Sequence, residues 1–144
     1  MKKPNYISPG QFSTSFSDGV LRSKEFNDIY FSADNGVNES NHVYIEGNNL
    51  KQRLLNSQHF TISELGFGSG LNFLLTWKLF NKANAGKGYL DYISIEGFPL
   101  NKNLIRKVHS KFPELSKYSN QLLNSLPPLW SGIHRIHLND DKIR

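Results

Sequence analysis

Hydrophobic and polar positions along the chain follow two regimes, and the change comes at His59. Beyond it the periods are regular. Phe60-Thr61-Ile62-Ser63-Glu64-Leu65 reads as a strand with an apolar bias. Leu71, Phe73, Leu74, Leu75, Trp77, Leu79 and Phe80 then leave residues 71–80 apolar on nearly every side, the mark of a buried helix. Residues 90–96 form the next strand. Strand, glycine run, buried helix and strand make a βαβ unit, which predicts a parallel pair with a right-handed crossover. Leu104, Ile105, Val108 and Phe112 recur at helical spacing, and Pro113 stops that helix and opens another over 113–126. Pro127-Pro128 ends the second helix. Ile136 and Leu138 alternate with Arg135 and His137, which predicts a strand over 132–138. The turn residues Asn139-Asp140-Asp141 follow, with no returning strand expected in the three positions left.

Ahead of His59 the pattern is less regular and rich in aromatics, with glycines between short β-forming runs. Strands are predicted over 28–32 and over 41–46, where Val43 and Ile45 alternate with His42 and Tyr44, and a short helix over 48–55. The fold class is therefore α/β. Residues 1–58 are expected to form a β-rich appendage, and residues 59–144 the first part of a Rossmann-like domain whose C-terminal strands are missing.

Composition narrows this picture. The absence of cysteine excludes disulfides, thiolate metal sites and cysteine nucleophiles. No apolar stretch follows the basic N-terminal residues, and none elsewhere reaches the roughly 18 residues of a membrane span. The expected location is the cytoplasm, with no membrane partner. Seventeen basic against 12 acidic residues give a formal charge of +5. That balance suits a polyanion such as RNA, and equally suits a soluble protein with no such partner.

The candidate chemistry centres on Glu64-Leu65-Gly66-Phe67-Gly68-Ser69-Gly70. Glycines let the backbone turn sharply and let a ligand approach it closely. The helix behind the turn offers free N–H groups and a partial positive charge. The spacing is G-x-G-x-G rather than the G-x-G-x-x-G of dinucleotide folds, and an acid stands two residues before the first glycine. A phosphate loop would need Lys-Ser/Thr after the last glycine, where Leu71-Asn72 stand. A carboxylate suits a cation and would sit poorly beside a pyrophosphate. The arrangement resembles motif I of the class I S-adenosylmethionine methyltransferases, in which the acid helps to hold the methionine ammonium group. Glu96, at the end of the next strand, is placed as the usual acidic partner of a ribose diol. Phe98 follows within reach of an adenine face.

Longer strings carry a more specific resemblance. Phe26-Asn27-Asp28-Ile29-Tyr30-Phe31-Ser32, Asn35-Gly36, Glu39, His42-Val43-Tyr44-Ile45, Gly47-Asn48-Asn49-Leu50 and Arg53 are similar to an N-terminal family signature. The residues from Glu64 to Leu74 with Trp77, then Glu96-Gly97-Phe98-Pro99-Leu100 and Phe112-Pro113-Glu114-Leu115, extend the likeness across residues 20–138. Together they resemble the methyltransferase component of 5-methylaminomethyl-2-thiouridine tRNA biosynthesis. Ser69 stands where that family usually has Thr, and Gly97 where a larger residue is common. The resemblance implies that S-adenosylmethionine donates a methyl group to the amine of 5-aminomethyl-2-thiouridine at the tRNA wobble position. It implies cofactor-binding roles for Glu64, Gly66, Phe67, Gly68, Gly70, Asn72, Glu96, Gly97 and Phe98. It implies tRNA as partner and a flavin-dependent oxidoreductase domain, fused or separate, with FAD only there. The catalytic acid and the target-base pocket of that family come from later strands, so no base is assigned within residues 1–144, and this length alone is expected to be inactive.

Other residues say less. His109, His134 and His137 show no metal-ligand spacing, no metal is expected, and the last two read as strand-surface residues. Lys102, Arg106, Lys107 and Lys111 line one helix, as a solvated face before an RNA contact. Asp18 and Asp28 read as turn residues. Two other readings remain: an NAD(P)-dependent oxidoreductase, disfavoured by the loop spacing, and a non-catalytic RNA-binding fragment.

Overall fold

A computed structural model of the chain describes residues 14–17, 20–24, 28–29, 36–55, 57–84 and 87–144. Asp18 and much of the aromatic string, Phe26, Asn27, Tyr30, Phe31 and Ser32, lie outside these residues. The architecture is α/β, with two small sheets and helices between them. Strands β1 (Thr14–Ser17), β2 (Val20–Ser23) and β3 (Asp28–Ile29) form an antiparallel sheet in sequence order. Leu21 of β2 is fully buried and belongs to the same apolar cluster as the rest of the chain.

The strand expected over 41–46 is not formed. Helix α1 (Gly36–Glu39) runs into a π-helical segment, Ser40–Glu46, and helix α2 (Leu50–Leu55) follows. The local alternation is overridden by packing. Ile45 is buried while Val43 is 65% exposed, and the segment rests on the central helix together with Leu50 and Leu54 of α2. β propensity decides little where a neighbouring helix offers a better burial surface.

Strands β4 (His59–Leu65) and β5 (Tyr89–Ile95) pair in parallel, Glu64 opposite Ser94 and Leu65 opposite Ile95. Between them runs α3 (Leu71–Asn84). Its Leu71, Phe73, Leu74, Leu75, Thr76, Trp77 and Phe80 are all buried, as an all-round apolar helix requires. Successive strand residues point to opposite faces. Phe60, Ile62, Leu90 and Tyr92 therefore join the core with α3, and Phe73 packs edge-on against Tyr92 with ring centroids 4.9 Å apart. The opposite face, carrying Leu65, Ile93 and Ile95, is open among the described residues.

Helix α4 (Lys102–His109) is capped by the Asn101 side chain, which accepts from the Leu104 N–H. It buries Ile105, Val108 and His109. A 3₁₀ turn, Pro113–Leu115, leads into α5 (Ser116–Ser125).

A second sequence expectation is corrected at residues 132–138, which form no strand. Ile133 is fully exposed and Ile136 half-buried. Pairing begins only at Leu138, and the backbone turns through Asn139, Asp140 and Asp141, all with positive φ. Asn and Asp tolerate that left-handed region better than other side chains. The chain does return. Ile143 bridges Leu138 in antiparallel fashion and Leu90 in parallel. The Leu90 N–H donates to Lys142 and the Tyr92 N–H to Arg144. The free edge of β5 is thus occupied by residues 142–144, and the preceding alternation finds no strand to pair with.

Candidate functional site

The C-terminal ends of β4 and β5 lie side by side, and the glycine turn rises between them into α3. Gly66, Gly68 and Gly70 have φ of 88°, 55° and 78°. These values favour glycine because a Cβ would meet the following carbonyl. The Gly66 N–H donates to the Ile95 carbonyl at 2.7 Å, which ties the start of the turn to the neighbouring strand. The Gly70 N–H donates back to the Phe67 carbonyl at 2.8 Å.

The two glycine ends differ. A Cβ on Gly70 would lie 2.7 Å from the Phe67 ring, so that position is closed by the protein itself. A Cβ on Gly66 would meet nothing within 4 Å, and the same holds at Gly97. Backbone is therefore open at Gly66 in the turn and at Gly97 after β5.

Two carboxylates frame the turn. Glu96 follows the end of β5, and both its oxygens accept backbone N–H groups: Oε2 from Gly68 at 2.8 Å and Oε1 from Phe98 at 2.7 Å. The sequence placed Glu96 as a free partner for two hydroxyls. In the structure it also clamps the glycine turn, with one acceptor site per oxygen already used.

Glu64, at the end of β4, is half-buried, and its Oε1 is enclosed without a hydrogen bond, as is Ser94 Oγ. Burial raises the Glu64 carboxyl above the usual carboxylate range, with Tyr92, Ser94 and Asn72 partly offsetting it and the Glu96 charge adding to it. An enclosed carboxylate oxygen without a donor is costly and has a strong call for a cation or N–H group.

The sequence reading missed the groups around Glu64. Tyr92, on the inward face of β5, shares a 3.0 Å hydrogen bond with Tyr44 of the π-helical segment. Burial raises both phenols, and the Glu64 charge adds to each, so both stay neutral. The signal was present in the strand register, since Tyr92, Ser94 and Glu96 alternate onto one face with Glu64. Tyr44 gave no such signal, because the segment carrying it was expected to be a strand.

The structure brings Glu64, Gly66, Gly68, Glu96 and Phe98 to one end of the sheet, with Asn72 beside Glu64 on the first turn of α3. Phe67 turns inward, its ring 6.2 Å from that of Phe73 and against Gly70. His109 is buried and holds Ser69 and Ser119. His134 contacts the Trp130 carbonyl and His137 contacts Asp141, both on exposed coil rather than on a strand. No group of three metal-ligating side chains occurs among the described residues. Lys102, Arg106, Lys107 and Lys111 lie on the exposed side of α4 and beyond its end. No described helix is long and apolar enough to cross a membrane.

No protein-family profile matches the chain. Among curated proteins, it is 43% identical over 131 residues to the tRNA 5-methylaminomethyl-2-thiouridine biosynthesis bifunctional protein MnmC of Legionella pneumophila (strain Corby). That alignment covers 88% of this chain and 20% of the relative. Proteins of the same name from Leptospira borgpetersenii (44% over 124 residues) and Marinomonas sp. (36% over 129 residues) are covered to 19% each, against 84% and 88% of this chain. The chain thus spans about a fifth of the length of the curated relatives it matches. Among solved structures, that of MNMC2 from Aquifex aeolicus superposes with a TM-score of 0.62 at 19% identity. It covers 94% of this chain and 42% of that one, a likeness of fold.

Proposed function

From the premise that the chain is homologous to one portion of the bifunctional proteins of tRNA 5-methylaminomethyl-2-thiouridine biosynthesis, we propose that it supplies the donor half of a tRNA methyltransferase site. Residues 59–144 are read as the opening of a Rossmann-like class I S-adenosylmethionine methyltransferase domain, and residues 1–58 as its N-terminal appendage. The reaction is transfer of a methyl group to the amine of 5-aminomethyl-2-thiouridine at the wobble position, in the cytoplasm. FAD is assigned only to a flavin-dependent oxidoreductase domain, fused or separate, and not to residues 1–144.

The observation that carries this reading is the enclosed, donor-less oxygen of Glu64 beside open glycine backbone. The residues fit S-adenosylmethionine in kind. Glu64 suits the ammonium group, with Asn72 beside it. Gly66, Gly68 and Gly70 suit close approach of the methionine portion, with Phe67 behind the turn. Glu96 keeps one acceptor site per oxygen for a ribose diol, and Gly97 and Phe98 follow at the adenine position. When bound, the cofactor supplies an electrophilic methyl group on sulfonium.

This chain's residues contribute orientation. Glu64 neutralises the ammonium group in a partly dry setting, and the clamped turn fixes the donor before the acceptor arrives, so less freedom is lost at the reaction step. The acceptor amine has to be neutral to attack. No residue of 1–144 is assigned as its base.

The test is calorimetric titration of the full-length parent protein with S-adenosylmethionine and with NADH. One site for S-adenosylmethionine and none for NADH is expected. Binding of NADH alone overturns the reading.

A further inference from the structure

One buried histidine is absent from the donor site described above, yet it touches the glycine turn. His109, the last residue of α4, is only 4% exposed. Its Nε2 lies 2.8 Å from the Ser69 carbonyl oxygen, and its Nδ1 lies 2.8 Å from Ser119 Oγ on α5. Ser69 and Ser119 are themselves buried.

The chemistry of the partners fixes the proton. A carbonyl oxygen only accepts, so Nε2 carries the hydrogen. In the neutral ring Nδ1 then holds a lone pair, and the Ser119 hydroxyl donates to it. Burial holds the imidazole below its usual range, which keeps it neutral, although the Ser69 carbonyl acts in the opposite sense.

The Ser69–Gly70 peptide is planar, so drawing its C=O inward sets the direction of its N–H as well. That N–H closes the turn on Phe67. On the other side Glu96 holds the Gly68 N–H. The turn is therefore gripped from two directions, at the Phe67–Gly68 peptide by Glu96 at the sheet end and at the Ser69–Gly70 peptide by His109 from the core.

We propose that His109, oriented by Ser119, is a positioning residue for the cofactor turn, holding the Ser69 carbonyl so that residues 66–70 keep their binding conformation. The ligand class rests on the proposed function above; the clamp itself does not.

The test uses the full-length parent protein and two amides that separate the two ring nitrogens. His109→Gln can place an N–H near Nε2 and keep the Ser69 contact. His109→Asn reaches only the Ser119 side. S-adenosylmethionine affinity is measured together with amide hydrogen exchange in the peptide covering residues 66–74. His109→Asn should lose about tenfold in affinity and exchange faster in the turn, while His109→Gln stays within about threefold of the parent on both readouts. Ser119→Ala, which leaves the ring in place without its orienting donor, should fall between them. Equal behaviour of the Gln and Asn variants, or parent-like exchange and affinity in His109→Asn, overturns the proposal. If the unmodified parent shows no S-adenosylmethionine binding, the functional reading fails separately. Exchange alone then decides: faster turn exchange in His109→Asn, restored in His109→Gln, supports the clamp, and unchanged exchange overturns it.

Discussion

Glu64 and Glu96 stand at the ends of adjacent parallel strands, one on each side of the same glycine turn, and the fold uses them in opposite ways. Glu96 is committed. Each of its oxygens receives a backbone N–H, so its charge organises the turn whether or not a ligand is bound. Glu64 has an enclosed oxygen with no donor, and burial raises its carboxyl. A protein interior tolerates a carboxylate oxygen without a donor only at a cost, and such costs collect at functional sites. The contrast separates an acid that holds the turn beside its proposed ribose contact from an acid with an oxygen left to the ligand, although both are glutamates flanking the same loop.

The contrast breaks most sharply at Glu64. Glu64→Gln should weaken S-adenosylmethionine binding by about 100-fold, the scale for removing one partner of a buried charge pair. In the ligand-free protein the same change should raise the thermal midpoint. The sign follows from the raised carboxyl. Its ionised form is less favourable in the folded state than in the unfolded one, so the penalty is fully present above the folded pKa and vanishes below the unfolded one. A variant less stable than the parent at neutral pH would place Glu64 with the scaffold.

Two glycines sharpen the comparison. Gly70 faces the protein, where an added methyl would enter the Phe67 ring, whereas Gly66 faces open space. Both have positive φ, which costs an alanine about 1–2 kcal/mol. Gly70→Ala adds overpacking on the order of 1–3 kcal/mol. Urea unfolding should therefore show the larger loss for Gly70→Ala, while Gly66→Ala should reduce cofactor affinity beyond its effect on stability.

At Glu96 the expected effect is smaller, because Gln retains one acceptor. Glu96→Gln should lose about tenfold in affinity and speed amide exchange in the turn without a rise in thermal midpoint. A rise would erase the distinction between the two acids.

Acid should act through Glu64. Affinity should decline as pH falls through its folded pKa, which lies above the usual carboxylate range, so the loss begins at higher pH than an ordinary glutamate would give. Calorimetry between pH 5 and 8 measures it, and in Glu64→Gln the decline should disappear. The smallest effect is expected at Tyr44→Phe, which removes the hydroxyl beside Tyr92 and should change affinity by no more than about threefold.

The parts of this arrangement that are legible in the sequence are those with a local rule. Glycine spacing, the all-apolar helix at residues 71–80 and the acid after the second strand each follow from backbone sterics or burial within one βαβ unit. The parts that are not legible depend on what packs nearby. Val43 and Ile45 alternate like a strand, yet a helical surface at α3 draws the segment into a π-helix and delivers Tyr44 to Tyr92. Ile136 and Leu138 alternate as well, but the edge of β5 is taken by residues 142–144. His109 follows the apolar face of α4 with Ile105 and Val108, and nothing in that spacing reveals the Ser69 carbonyl waiting for it. The donors to Glu96 are hidden for the same reason, since they are the backbone N–H groups of Gly68 and Phe98.

The most direct test of the central claim separates the ammonium end of the ligand from its nucleoside end. The parent protein and its Glu64→Gln variant are titrated with S-adenosylhomocysteine, which carries the amino-acid group, and with 5′-methylthioadenosine, which lacks it. If Glu64 holds the ammonium, the variant loses about 100-fold for the first ligand and less than about twofold for the second. Equal losses for both ligands, or none for S-adenosylhomocysteine, would contradict the assignment.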